Sequence, residues 1–135
     1  MPEGKTYTLS KKERLYGKDN IDRLFGSDSR SMSAFPIRAV YCTHEAQENT
    51  VQVRVMVSAP KKNLKHAVDR NRVKRQLRES YRRNKDCITN EANKESTKAL
   101  MIAFIWMDKK TWSSQDVEKK VKNLMHRVSE KIYGR

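Results

Sequence analysis

Glycine is scarce in this chain, with four residues in 135. That excludes a glycine-rich phosphate cradle, and no Walker loop occurs. Cysteine is scarcer still. Cys42 and Cys87 stand far apart and match no metal-ligand spacing, so they read as two reduced thiols. The histidines His44, His66 and His126 are scattered, and no HExxH is present. No Ser, His and Asp spacing points to a triad, and no carboxylate pair of the two-metal nuclease kind is evident. Asp108 follows the most apolar segment and reads as a turn residue rather than a metal ligand. Long apolar runs are missing too. The longest, residues 99–107, is too short to cross a bilayer. The first twenty residues carry charge where a signal peptide needs an apolar core. The expectation is a cytoplasmic binder without membrane contact, with no catalytic or metal-ligating residue of its own.

The other shortage is of acid. Sixteen Asp and Glu face thirty Lys and Arg, giving a net charge of +14 and a pI near 10.0. A field of that sign attracts polyanions, nucleic acid first, then anionic membrane or acidic protein. Hydrophobic residues make up 36% and cluster in patterned segments, so the chain is expected to fold as one domain over 1–135, with residues 1–9 as a flexible arm.

Periodicity gives the elements. Ile21, Leu24 and Phe25 share one face of a short helix that Gly26 ends. Residues 27–33 read as a polar loop. Residues 35–42 have strand composition, with Pro36 at the start or on an edge. Residues 50–57 alternate, with Val51, Val53, Val55 and Val57 on one side, and the two runs across residues 43–49 read as a hairpin. A basic loop (58–66) leads to a helix from Asp69 to about Lys85, then a loop over 86–97. Residues 99–107 should form a strand covered on both faces inside the sheet. The last helix starts at Ser113 as N-cap, with Asp116 three residues on and a Trp112–Val117 staple. Val117, Val121, Leu124, Val128 and Ile132 form its apolar stripe. The fold class is an α/β single-domain sandwich: a mixed sheet of about four strands with about three helices, in the order α-β-β-(β)-α-β-α.

Residues 60–85 hold eleven basic residues and two acidic ones, so +9 of the total +14 sits there. On a helical wheel Val73, Leu77 and Tyr81 share one side, while Asn71, Lys74, Arg75, Arg78 and Arg82 fall on the other. Guanidinium groups crowded this closely are favourable when a polyanion supplies counter-charge, and each forks onto phosphate with paired hydrogen bonds. Asp69 could cap the helix, and Lys61, Lys62 and Lys65 lie near its anion-attracting N-terminus. A solvated charged face and a membrane-surface helix are the competing readings; the second needs a wider apolar face. Phe25, Phe35 and Tyr41 could stack on unpaired bases, although burial is the commoner fate of an aromatic ring.

The stretch "NLKHAVDRNRVKRQLRESYR" (63–82) resembles the signature of the bacterial ribonuclease P protein subunit. Arg70, Asn71, Arg72, Lys74, Arg75 and Arg78 match that pattern one for one, and "VRVMVSAPKKN" (53–63) resembles the strand and loop before it. The resemblance covers roughly residues 11–132. It implies a protein cofactor to a catalytic RNA subunit, which holds Mg²⁺ and cleaves the 5′ leader from precursor tRNA; no stable protein partner is implied. It implies that the arginine helix, with Arg82, Lys61, Lys62 and Lys65, meets RNA. It implies a leader cleft between the sheet and the first helix, for which Phe25, Ile21 and Tyr41 are the candidates; Ile21 stands where many members have Phe. It also implies a left-handed βαβ crossover, against the general rule. A structural RNA-binding protein of ribosomal type and a stand-alone nuclease are the rival functions.

Overall fold

A segment apolar at nearly every position must be covered on both sides, and that requirement organises this molecule. In the computed structural model, which describes residues 13–15, 18–26, 29–45, 52–94 and 98–134, the segment becomes the inner strand Lys98–Trp106. In chain order the elements are α1 (Lys18–Leu24), β1 (Arg30–Ala34), β2 (Ile37–Glu45), β3 (Val53–Ser58), α2 (Ala67–Asn84), α3 (Asp86–Lys94), β4 (Lys98–Trp106) and α4 (Ser114–Tyr133). The strands form one mixed sheet in the order β1-β2-β4-β3. β4 runs antiparallel to β2 and parallel to β3.

The two faces of the sheet bury different things. Ile37, Ala39 and Tyr41 of β2, Val53 and Val55 of β3, and Leu100, Ile102, Phe104 and Trp106 of β4 join the side chains of α2, α3 and α4 in the main core. Val40, Cys42, Met101 and Ala103 point the other way and are covered by Leu15 and by Leu24 of α1. The alternation along β2 and β4 thus feeds two cores at once. Arg14 forms a parallel bridge to Val55, and the Leu15 amide donates to the Val55 carbonyl at 2.7 Å, which covers the outer edge of β3.

Four sequence expectations change. The hairpin joins β1 to β2 through the turn at Phe35–Pro36, not β2 to β3, because the doubly covered β4 takes the place between them. Residues expected as a loop supply β1, an edge strand that offers only Met32 and Ala34 to the core. A second expected loop contains α3, where Ile88 and Ala92, one turn apart, are fully buried. That makes four helices rather than about three. Helix α2 begins two residues earlier than expected: His66 occupies the N-cap position with no side-chain cap bond, and Asp69 lies within the first turn. The arm expected over 1–9 and Val51 lie outside the described residues.

The start of α4 is as its sequence predicts. Ser113 Oγ accepts from the Asp116 amide at 3.2 Å, and Val117, Val121, Leu124 and Val128 are fully buried. Trp112 Nε1 donates to Asp108 Oδ2 at 2.7 Å. That bond, with help from the Lys109 amide and the Lys110 charge, holds the Asp108 carboxyl below the usual aspartate range. A depressed folded value means the stabilisation is present above the unfolded pKa of about 3.9 and is lost as pH falls through the lower folded value. Indole emission from Trp112 is therefore expected to change below about pH 3.9, and Asp108→Asn should remove that step. An acid titration of emission in both proteins checks it. Burial pushes the Cys87 thiol up to about 11, so it stays protonated at neutral pH, and neither Cys42 nor Cys87 is in a disulfide.

Candidate nucleic-acid interface

Helix α2 divides along its length. Val73, Leu77 and Tyr81 are fully buried, and Gln76 and Ser80 nearly so, against the sheet and α4. Asn71, Arg72, Arg75 and Arg78 are exposed, and Lys74 is half-buried beside them. Among the described residues, none of the side chains of Arg72, Lys74, Arg75 and Arg78 makes a hydrogen bond or ion pair. Two other members of the predicted set are engaged. Arg70 Nη1 donates to the carbonyls of Leu64 and Lys65 at 2.9 and 2.8 Å, so this side chain fixes the loop that leads into the helix. Arg82 forks onto Glu79, with Nη2 to Oε1 at 2.8 Å and Nε to Oε2 at 3.1 Å. That fork draws the Glu79 carboxyl below its ordinary range, with Arg83 and Arg75 adding to the effect.

The contrast orders the cations. Arg72, Arg75 and Arg78 present exposed guanidinium groups on a helix whose other side is anchored in the core, and guanidinium geometry matches phosphate oxygens. Arg83 and Lys85 are paired with Glu118 and Glu13 at 3.3 and 3.1 Å, at the far end of the helix. Lys61, Lys62 and Lys65 are exposed on the loop that Arg70 holds. That loop is also tied to the sheet by Asn63 Nδ2, which donates to the Trp106 carbonyl at 3.0 Å.

The second predicted surface lies on the opposite face of the sheet. Ile21 is half-buried on α1 and Phe25, just past its end, is 46% exposed. Tyr41 does not join them. It is 2% exposed in the main core beneath the other helices, because its place along β2 has the parity of Ile37 and Ala39. The residues of opposite parity face α1, and among them Arg38 is exposed, with Nη2 3.5 Å from Ser31 Oγ. Arg54 of β3 and Ile105 of β4 have the same facing. Arg38 and Arg54 are the basic residues that the sequence reading missed, and strict alternation along the two strands was the signal for both.

Among the described residues, no three His, Cys, Asp or Glu side chains come together as a cation site, and no helix is long and apolar enough to cross a membrane.

Comparison with known proteins adds to this geometry. A family model described as Ribonuclease P matches residues 9–129. The ribonuclease P protein component of Porphyromonas gingivalis is 34% identical over 124 residues, which is 92% of this chain and 88% of that protein. The component of Chlorobaculum tepidum is 32% identical and covers 78% of this chain and 71% of its own length. Among solved structures, the RNase P protein from Thermotoga maritima superposes with a TM-score of 0.64 at 23% identity, covering 85% of this chain and 96% of that one. A Staphylococcus aureus RNase P protein mutant gives 0.68 at 19% identity, covering 89% and 91%. At those identities the structural likeness speaks for the fold.

Proposed function

Since the chain belongs to the ribonuclease P protein family, we propose that it serves the removal of the 5′ leader from precursor tRNA as the protein cofactor of a catalytic RNA subunit, in the cytoplasm. Bond cleavage is assigned to the RNA. Mg²⁺ is assigned to the RNA as well, whose phosphates supply the hard oxygen ligands this ion takes.

One observation carries the reading: Asn71, Arg72, Arg75 and Arg78 stand exposed over a side of α2 that is buried at Val73, Leu77 and Tyr81. A rigid cationic face meets a folded RNA backbone without a large ordering cost, because the helix is already fixed. Lys61, Lys62 and Lys65 extend that face along the loop, and Arg70 keeps the loop in position. On the other side of the sheet, Phe25 and Ile21 at α1 and Arg38 on β2 offer apolar and cationic groups suited to a single-stranded leader: ring and alkyl groups take bases and the guanidinium takes phosphate. The protein thereby holds two parts of one substrate complex from two faces.

The test is reconstitution. The protein is added to a catalytic RNA subunit and precursor tRNA at low Mg²⁺, and matured tRNA is measured. Stimulated cleavage is expected. No stimulation would favour a structural RNA-binding role, and cleavage by the protein without RNA would favour a nuclease.

A further inference from the structure

Phe35 is the most exposed aromatic side chain among the described residues, at 60%. It sits in the β1–β2 turn, against packed and hydrogen-bonded indoles. Its ring meets Trp112 at 6.2 Å between centroids and 66° between planes. Trp112 meets the fully buried Trp106 at 6.2 Å and 88°. Each indole is pinned: Trp112 Nε1 to Asp108 at 2.7 Å, and Trp106 Nε1 to the Lys110 carbonyl at 3.2 Å. Three rings therefore run in series from the core to solvent. Beside the last of them Met107 is 41% exposed, and its amide donates to the Pro36 carbonyl at 2.7 Å.

The charge around these rings is mainly positive. Lys109 and Lys110 are exposed on the loop after β4. Lys61 and Lys62 are exposed on the loop that Asn63 ties to Trp106. One acid, Asp108, keeps its negative charge among them, with its oxygens accepting from the Trp112 indole and the Lys109 amide. The cluster is continuous with α2, where Gln76 Nε2 donates to the Trp112 carbonyl at 2.9 Å and Gln76 follows Arg75 in the chain. It is separate from the Phe25 surface, which belongs to the face of the sheet that α1 covers.

An exposed ring at an end of the sheet whose loops carry four exposed lysines suits an unpaired base whose phosphates need cations; an apolar protein partner would gain nothing from four ammonium groups. We propose that this end of the sheet binds an unpaired RNA nucleotide, its base against Phe35 and its phosphates on Lys109, Lys110, Lys61 and Lys62. The proposal rests on the RNA-binding reading and adds a second single-strand contact to it.

The test uses the full chain and two probes of equal length: a short oligoadenylate, and an oligomer of abasic sugar–phosphate units. Phe35→Ala is expected to weaken oligoadenylate binding about fivefold or more, from the worth of one base stacked on an aromatic ring. Binding of the abasic probe should not change, and Phe35→Tyr, which keeps a ring, should bind oligoadenylate like the parent. Equal affinity of parent and Phe35→Ala for oligoadenylate would overturn the proposal, as would an equal loss on both probes. So would a parent dimer that Phe35→Ala dissolves, since a second copy would then be the occupant. Failure of the parent to bind either probe would overturn the RNA-binding reading itself, and the proposal with it.

Discussion

Replacing Arg75 and Arg78 together by alanine is expected to weaken binding to the RNA subunit at least about tenfold at low salt, because each lost contact is a charge-assisted hydrogen bond. The salt dependence should change as well. Each phosphate contact contributes about 0.7–0.9 to the slope of log K against log salt, so the double variant should be flatter by about 1.4–1.8. Both side chains are exposed and lie away from the buried Val73, Leu77 and Tyr81, so thermal unfolding should be nearly unchanged. Two controls give the result its meaning. Arg75→Lys with Arg78→Lys keeps the charge and should keep the slope, while losing affinity with the forked geometry. Arg82→Ala should cost less than either arginine, since its guanidinium already serves Glu79. A double variant with the parent's salt slope would mean that this face does not touch phosphate.

The arginine face was legible because it is local. Its spacing of four, its charge and its anchoring residues lie within one helix, and a wheel reads them together. The same holds for α4, whose cap and stripe are contiguous, and for β4, whose run of apolar residues requires cover on both faces. What went unread depends on pairing across the chain. β1 carries only Met32 and Ala34 toward the core, too few to register as alternation, and it exists because β2 gives it a ladder. Helix α3 is apolar at few positions, and its buried pair Ile88 and Ala92 becomes visible once α4 and the sheet pack on it. The strand order could not be had from β2 and β3 alone, which read as neighbours until the doubly buried β4 is placed between them. Tyr41 failed for a smaller reason: it shares a strand with Arg38, but parity sends the two to opposite faces, and composition carries no parity. Arg70 and Arg82 show a further limit, because a match in a motif does not say whether a guanidinium is already holding a carbonyl or a carboxylate of its own chain.

Trp106→Ala should be the most damaging single change in the fold, at about 3–5 kcal/mol, the usual range for emptying a fully buried aromatic site. A domain of this size has about 5–15 kcal/mol in all, so the variant should be near its threshold at 37 °C. The side chain is 0% exposed and packs at the last rung of β4, opposite Ile37. It also supports what surrounds it: Trp112 rests on its ring, the Lys110 carbonyl accepts from its indole, and its own carbonyl accepts from Asn63. Removing the ring leaves a cavity where the β1–β2 turn, the loop before α2 and the loop before α4 converge, and none of the three can collapse into it without losing its own bonds. Trp106→Phe, which keeps most of the volume, should cost less than Trp106→Ala. Urea denaturation measures both, with an unchanged m-value indicating that the same surface is still exposed on unfolding. Below its melting temperature Trp106→Ala should still present the arginines of α2, which hang on Val73, Leu77 and Tyr81. The loop that carries Lys61 and Lys62 should loosen, since its backbone tie is to residue 106. A loss of less than about 1 kcal/mol would mean that this end of the sheet is not organised around the indole at all, since a site that absorbs such a deletion so cheaply must already be loosely packed.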